Sequence, residues 1–235
     1  WIKKSASQGH ADAQQNLALM YEQGKGTKKN SILANKWHLE SAKSGNHEEQ
    51  YRLAKAYLDS EDYNQAFIWL LKSAKQNNAQ AQSQLGHLFT RGQGVPRDYD
   101  QAFIWYQQAM KNGNDEMAYI LAGLYDQGLG IKKDYQKSHK FYQQAKAQGN
   151  LDAYQDIARH YEKGQGVKKN LSKAYVFSIA AARKGHIDSQ RKVAEMYEQG
   201  SGVKKSVKKA KYWLKKLAKR GDETAKRDLK RLQKR

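Results

Sequence analysis

Apolar residues recur along this chain in blocks. Six times a branched aliphatic residue is followed by a small one and, four positions past the first, by an aromatic. The six are Leu17-Ala18 with Tyr21, Leu53-Ala54 with Tyr57, Leu85-Gly86 with Phe89, Leu121-Ala122 with Tyr125, Ile157-Ala158 with Tyr161, and Val193-Ala194 with Tyr197. Steps of one, three and four gather these residues on one helical face. A second stretch follows each, in which a small residue precedes an aromatic by three: Ala34/Trp37, Ala66/Trp69, Ala102/Trp105, Ser138/Phe141, Ala174/Phe177 and Ala210/Trp213. The pattern predicts two helices per block, each about 12–14 residues long and marginal alone. Stacked neighbours would cover their apolar faces, the small residues admitting an aromatic from the adjacent helix.

Glycines set the block length. Gly9 and Gly45 are 36 residues apart, as are Gly113, Gly149, Gly185 and Gly221 in succession, with Asn77 in the same slot between the two sets. The block ending at Asn77 is four residues short. Five blocks join their helices through G-x-G (Gly24/Gly26, Gly92/Gly94, Gly128/Gly130, Gly164/Gly166, Gly200/Gly202), whereas the second uses Asp59-Ser60-Glu61-Asp62, a shorter turn. Second helices open at the capping residues Asn30, Asp98, Asp134, Asn170 and Ser206. The repeats span 10–45, 46–77, 78–113, 114–149, 150–185 and 186–221. A partial repeat over 1–9 precedes them and a capping helix over 222–235 follows. Trp1, eight residues before Gly9, fits the aromatic slot of a second helix, so the numbering is expected to begin inside a repeat of a longer protein. Residues 224–233 read as one more first helix, with Gln233 in the aromatic slot and a polar face suited to closing a stack.

The expected fold class is therefore all-α: a right-handed α/α superhelical solenoid of about six two-helix repeats, with partial repeats at both ends. Composition agrees. The chain is polar, with 39% hydrophobic residues and a mean hydropathy of -1.00, yet its 15 Tyr, 5 Trp and 5 Phe are too many for a disordered segment. One proline suits helices. Zero cysteines exclude disulfides, thiolate metal sites and cysteine nucleophiles. No run approaches the roughly 20 apolar residues of a membrane helix.

The pattern A-x-x-x-L-[AG]-x-x-Y-x-x-G-x-G-V-x-x-[DN]-x-x-x-A-x-x-[WF] resembles the Sel-1-like repeat family of bacterial type, related to tetratricopeptide repeats, over essentially the whole chain. Residues 81–105 and 153–177 fill nearly every slot; Glu49 and Met117 depart from it in the leading alanine slot. The resemblance implies a partner lying along a concave face lined by first helices. The inward slots lie two before the Leu position, two after it, and one after the aromatic. The first holds Gln15, Tyr51, Ser83, Tyr119, Gln155 and Arg191; the second Leu19, Lys55, His87, Gly123, Arg159 and Glu195; the third Glu22, Leu58, Thr90, Asp126, Glu162 and Glu198. Tyr51, Tyr119, Leu19 and Leu58 are larger than a solvated face needs and read as interface anchors. The third slot is acidic in four of six repeats.

Candidate chemistry is thin. The G-x-G turns lack the preceding strand and longer glycine spacing of a phosphate loop and read as helix ends. Of the seven histidines His10 and His186 follow boundary glycines and the rest are scattered over other slots, with no H-x-x-x-H pair, so no metal site and no cofactor are expected. No nucleophile comes with a base, so no enzyme is expected. Charge changes the picture more. The chain carries a formal +20, and residues 201–235 alone hold 15 Lys and Arg against 3 Asp and Glu. Lys28-Lys29, Lys132-Lys133, Lys168-Lys169 and Lys204-Lys205 share one loop slot. This basic end suits an acidic partner or an anionic polymer or surface. Specific nucleic-acid recognition is not expected, since no aromatic platform interleaves these lysines. The leading expectation is a protein-binding scaffold gripping a folded domain or an extended segment: an adaptor or effector-immunity protein of the cell envelope, periplasmic or secreted.

Overall fold

The computed structural model describes residues 1–233; Lys234 and Arg235 of the basic terminal cluster lie outside the described residues. Among the described residues there are fourteen helices and no strand. They are α1 Ile2–Ser7, α2 Ala11–Gln23, α3 Ser31–Lys43, α4 His47–Asp59, α5 Tyr63–Ala74, α6 Ala79–Arg91, α7 Tyr99–Lys111, α8 Met117–Gln127, α9 Tyr135–Ala147, α10 Leu151–Lys163, α11 Leu171–Arg183, α12 Ile187–Gln199, α13 Val207–Ala218 and α14 Glu223–Gln233. The chain divides into unit 1, residues 1–117, and unit 2, residues 118–235. Within each, helices stack in chain order, hairpin upon hairpin.

The expected caps form. Asn30, Asp98, Asp134, Asn170 and Ser206 each accept a backbone N–H two or three residues on, and Asp62 does the same for α5. First helices are capped too, by Asn46, Asn78 and Asn150, and by His186, whose Nδ1 accepts from the Ser189 N–H. The first glycine of each G-x-G ends its helix in the left-handed region, its N–H bonded to the carbonyl four residues back. The second glycine is tighter: a Cβ at Gly94, Gly166 or Gly202 would sit 2.5, 2.1 or 2.0 Å from the carbonyl oxygen of Tyr63, Tyr135 or Leu171. The second repeat turns without glycine by placing Glu61 at φ 60, and Asn77 at φ 65 serves its boundary slot.

Packing follows the block pattern. Leu17, Leu85, Leu121, Ile157 and Val193 are fully buried, and so are the small residues Ala18, Ala54, Gly86 and Ala122 beside the aromatics. One recurrent contact has no counterpart in the apolar pattern. Gln14, Gln50, Gln82 and Gln190, all buried, each donate to the carbonyl eight residues earlier at the end of the previous second helix: Ala6, Ala42, Ala74 and Ala182, at 3.0–3.2 Å. Each of these carbonyls also accepts the N–H three residues on, at 3.0–3.2 Å, so the amide fills the second lone pair of an acceptor at the helix end and ties the next helix to it. Trp1, the N-cap of α1, is fully exposed.

Candidate functional site

The two units treat the first-helix face differently. In unit 2 the face is a polar ladder. Asp126, on α8, accepts from Arg159 Nη2 at 3.0 Å and holds His160 Nε2 at 2.8 Å. Arg159 also reaches Asp156 Oδ1 at 2.9 Å and Gln165 at 3.1 Å. Asp156 Oδ2 in turn accepts the Tyr119 hydroxyl at 3.0 Å, and the Tyr119 ring packs on Tyr142 with centroids 5.6 Å apart. Burial, then the Asp156 charge, pushes the Tyr119 and Tyr142 phenols well up. Burial opposes the Arg159 charge, but the two carboxylates outweigh it and raise that group. Beneath lies a stacked imidazole pair, His139 and His160, 5.5 Å apart. Burial holds His160 below its ordinary value despite Asp126; burial first, then His160, holds His139 at about 4.

The ladder continues. Gln155 accepts from Ser189 Oγ at 2.8 Å. Lys192 bonds Glu162 at 2.8 Å and lies 3.6 Å from Glu195. Arg191 bridges Asp188 and Asp222, and Arg231 grips both oxygens of Glu198. The expectation that packing does not require Tyr119 and Asp126 is therefore corrected. Each is tied to the next repeat, 37 and 33 residues on. Arg159, Glu162, Arg191 and Glu198 are bound in the same way.

Unit 1 leaves its face freer. Gln15 is held by Asn46 and Glu48, and exposed Glu22 lies 3.8 Å from His38 Nε2. Leu19 is half-buried. Tyr51 and Leu58 are half-buried against the cluster of Ala54, Leu70, Leu85 and Leu88. The Tyr51 hydroxyl has no hydrogen bond, and Lys55 is exposed without an ion pair, among the described residues. In the third repeat Tyr106 is 1% exposed, its hydroxyl set between Thr90 at 3.0 Å and His87 at 2.9 Å. Glu49, which departs from the repeat pattern, is buried 2.9 Å from His38 Nδ1 and 2.8 Å from Arg52. Burial would raise its carboxyl; His38 and Arg52 outweigh that and lower it.

The basic residues form a second feature. Lys137, Lys173 and Lys209 lie over Tyr125, Tyr161 and Tyr197 at 5.4, 5.2 and 5.2 Å, a cation–π contact repeated three times in unit 2. Unit 1 has Leu33, Gln65 and Gln101 in that slot. One aromatic does stand among the terminal lysines, contrary to expectation. Tyr212 on α13 is 60% exposed, with Lys208 and Lys209 one turn before it and Lys215 and Lys216 one turn after. It escaped notice because its neighbour Trp213 fills the repeat's aromatic slot. Among the described residues no cluster of acids and histidines is arranged to hold a metal, and no helix is long and apolar enough to cross a membrane.

The Sel1 repeat model matches residues 11–46, 50–78, 79–114, 115–150, 151–186 and 187–222. Among solved structures, a protective antigen present in uropathogenic Escherichia coli strains, displaying an SLR fold, superposes with a TM-score of 0.81 at 29% identity. The match covers 97% of this chain and 50% of that one, so this chain spans about half the length of that relative. A Sel1 repeat protein from Oxalobacter formigenes gives 0.68 at 28% identity, covering 88% of this chain and 85% of that one. No curated protein matches the sequence.

Proposed function

Because this chain belongs to the Sel1 repeat family, whose members generally serve as protein–protein interaction scaffolds, we propose that it captures a protein partner on the first-helix face of unit 1 and performs no chemistry itself. One observation carries the reading. Tyr51, Leu58 and Leu19 show apolar surface there beside an unpaired Lys55, while the equivalent groups of unit 2 are consumed by one another. Half-buried aromatic and aliphatic groups next to a free charge are how interface anchors present themselves. The ladder of unit 2 then acts as a stiffener. Adaptor or immunity work in a bacterial envelope is the role we favour within this class. An exported location, periplasmic or secreted, belongs to the same proposal.

A photo-crosslinking residue placed at Lys55 tests the reading in the native host, with the same residue at Ile32, which is 80% exposed on α3, as control. A discrete protein adduct from position 55, lost on Leu58→Glu and absent from position 32, is the expected result. Adducts from position 32 alone, or none from 55, refute it.

A further inference from the structure

Between α11 and α13 of unit 2 runs a groove of about 480 Å³, remote in kind from the polar ladder. Its floor is Ile179 with Tyr197 and Trp213, each of the two rings 6% exposed. The Tyr197 hydroxyl is spent on Tyr175, so the floor offers a ligand no polar group from that ring. The rim is Tyr212, Lys209, Lys216 and Arg183. No carboxylate lines it, and none of the three cations forms an ion pair among the described residues. Val176, 58% exposed on α11, extends the apolar surface one repeat away from Tyr212.

The repeat pattern does not require this charge. One repeat earlier the matching positions hold Gln143, Ala147, Lys173, Val176 and Ala180, with a single cation. Here three positive side chains surround an apolar floor and a protruding phenol. Like charge repels and lowers stability slightly; Lys209 and Lys216 lie over the Tyr197 and Trp213 rings at 5.2 and 5.4 Å, and the Tyr212 ring meets Trp213 edge-on, its hydroxyl without a hydrogen bond among the described residues.

We infer that this groove is a docking site for an acidic protein segment that seats an apolar side chain between flanking carboxylates. The spacing sets the ligand's geometry. Lys209 and Lys216 are two turns apart on α13, roughly 10 Å along the axis. A helical ligand meets both with acids seven residues apart, and an extended one with acids about three apart. The apolar group between them lands on Tyr212 and Ile179. Charge steers the encounter and sets register, while the aromatic and aliphatic floor supplies affinity. Nucleic acid is the poorer match, because sequence-tolerant strand binding relies on successive exposed rings and Tyr212 is the sole exposed ring on this rim, Tyr197 and Trp213 being packed in the floor.

The site is separate from the first-helix face of unit 1, and the test keeps the two apart. A display library of random 12-residue peptides is selected against the full chain, and the enriched peptides are titrated by fluorescence anisotropy against four proteins: the native chain, Tyr212→Ala, Lys209→Gln with Lys216→Gln, and Lys55→Glu. A twelve-residue oligothymidylate is titrated alongside. The expected outcome is peptides with acids bracketing a Leu, Phe or Trp, whose affinity falls about tenfold or more with either variant and is unchanged by Lys55→Glu in unit 1. Thermal melting of the variants, all at exposed positions, checks that the fold is intact. Enriched peptides without acids, or equal affinity for all variants, overturn the inference. So does tighter binding of the oligonucleotide at the same lysines, which assigns the groove to nucleic acid.

Discussion

Gly86 sits inside α6, in a slot that other repeats fill with alanine, and its neighbour explains why. A Cβ there would lie 2.5–2.8 Å from the ring of Tyr106. Two terms compete in Gly86→Ala. Alanine gains about 0.5–1 kcal/mol of helix propensity. The methyl group, forced against a fully buried ring that Thr90 and His87 hold by its hydroxyl, costs about 1–3 kcal/mol. Overpacking wins, and the variant should lose about 1–2 kcal/mol. Repeats two and six show the alternative packing, Ala54 with Leu70 and Ala194 with Leu214. Tyr106→Leu alone should cost about 2–4 kcal/mol through its cavity and the loss of its hydroxyl's bonds to Thr90 and His87, Thr90 keeping its bond to the Gly86 carbonyl. Combined with Gly86→Ala it should cost less than Tyr106→Leu alone, because the methyl enters the space the ring leaves. A double-mutant cycle from urea unfolding followed by helical circular dichroism therefore reads a coupling of about 2 kcal/mol. Additive costs would refute the reasoning. So would a neutral Gly86→Ala, which would mean that the Tyr106 ring turns aside without cost.

Three further outcomes follow from the same coordinates. Gly202→Ala places a Cβ 2.0 Å from the Leu171 carbonyl at φ 68, whereas Gly185→Ala meets nothing at φ 98; the first should cost several kcal/mol and the second about 1–2, from backbone strain alone, and equal urea midpoints would contradict this. Gln190→Ala removes one of two donors to the Ala182 carbonyl, the Gly185 N–H remaining, and should cost about 0.5–1.5 kcal/mol; a neutral result denies the clasp a stabilising part. Acid should weaken unit 2 through its imidazole pair. His139 is held at about 4, while the unfolded chain binds that proton near pH 6.5, so the unfolded state carries more protons between these values and stability falls as pH drops through the window. His139→Gln should flatten the profile between pH 6.5 and 4; parallel profiles would count against the burial argument.

The architecture was legible because its signal is local and repeated: Leu17, Ala18 and Tyr21 announce a buried face, and six copies of the signal confirm one another. The caps at Asn30 and Asp134 were legible for the same reason. Two kinds of contact were not. The glutamine at Gln14, Gln50, Gln82 and Gln190 is polar, so a reading built on apolar periodicity passes over it, although its register three before the Leu position was available as a clue. The ladder residues Tyr119, Asp126 and Arg159 find their partners a full repeat away. A pattern that compares repeats slot by slot sees what they share, and such pairs are made of what they do not share. His38 and Glu49 show the same blindness: two departures in different slots that compensate each other only in three dimensions.

The glutamine clasp bears on how such a chain can change its length. Each clasp is complete within eight residues, spanning one junction and consulting nothing beyond it. A glutamine-bearing hairpin copied or excised by recombination in register brings its own donor and meets a backbone carbonyl that every second helix supplies, so the new seam closes without further substitution. Ties such as Asp126 to Arg159 or Glu198 to Arg231 obey the opposite rule, since each half sits in a different hairpin and shuffling would strand a charge. Unit 2 has thus traded the freedom to gain or lose modules for a fixed order of them.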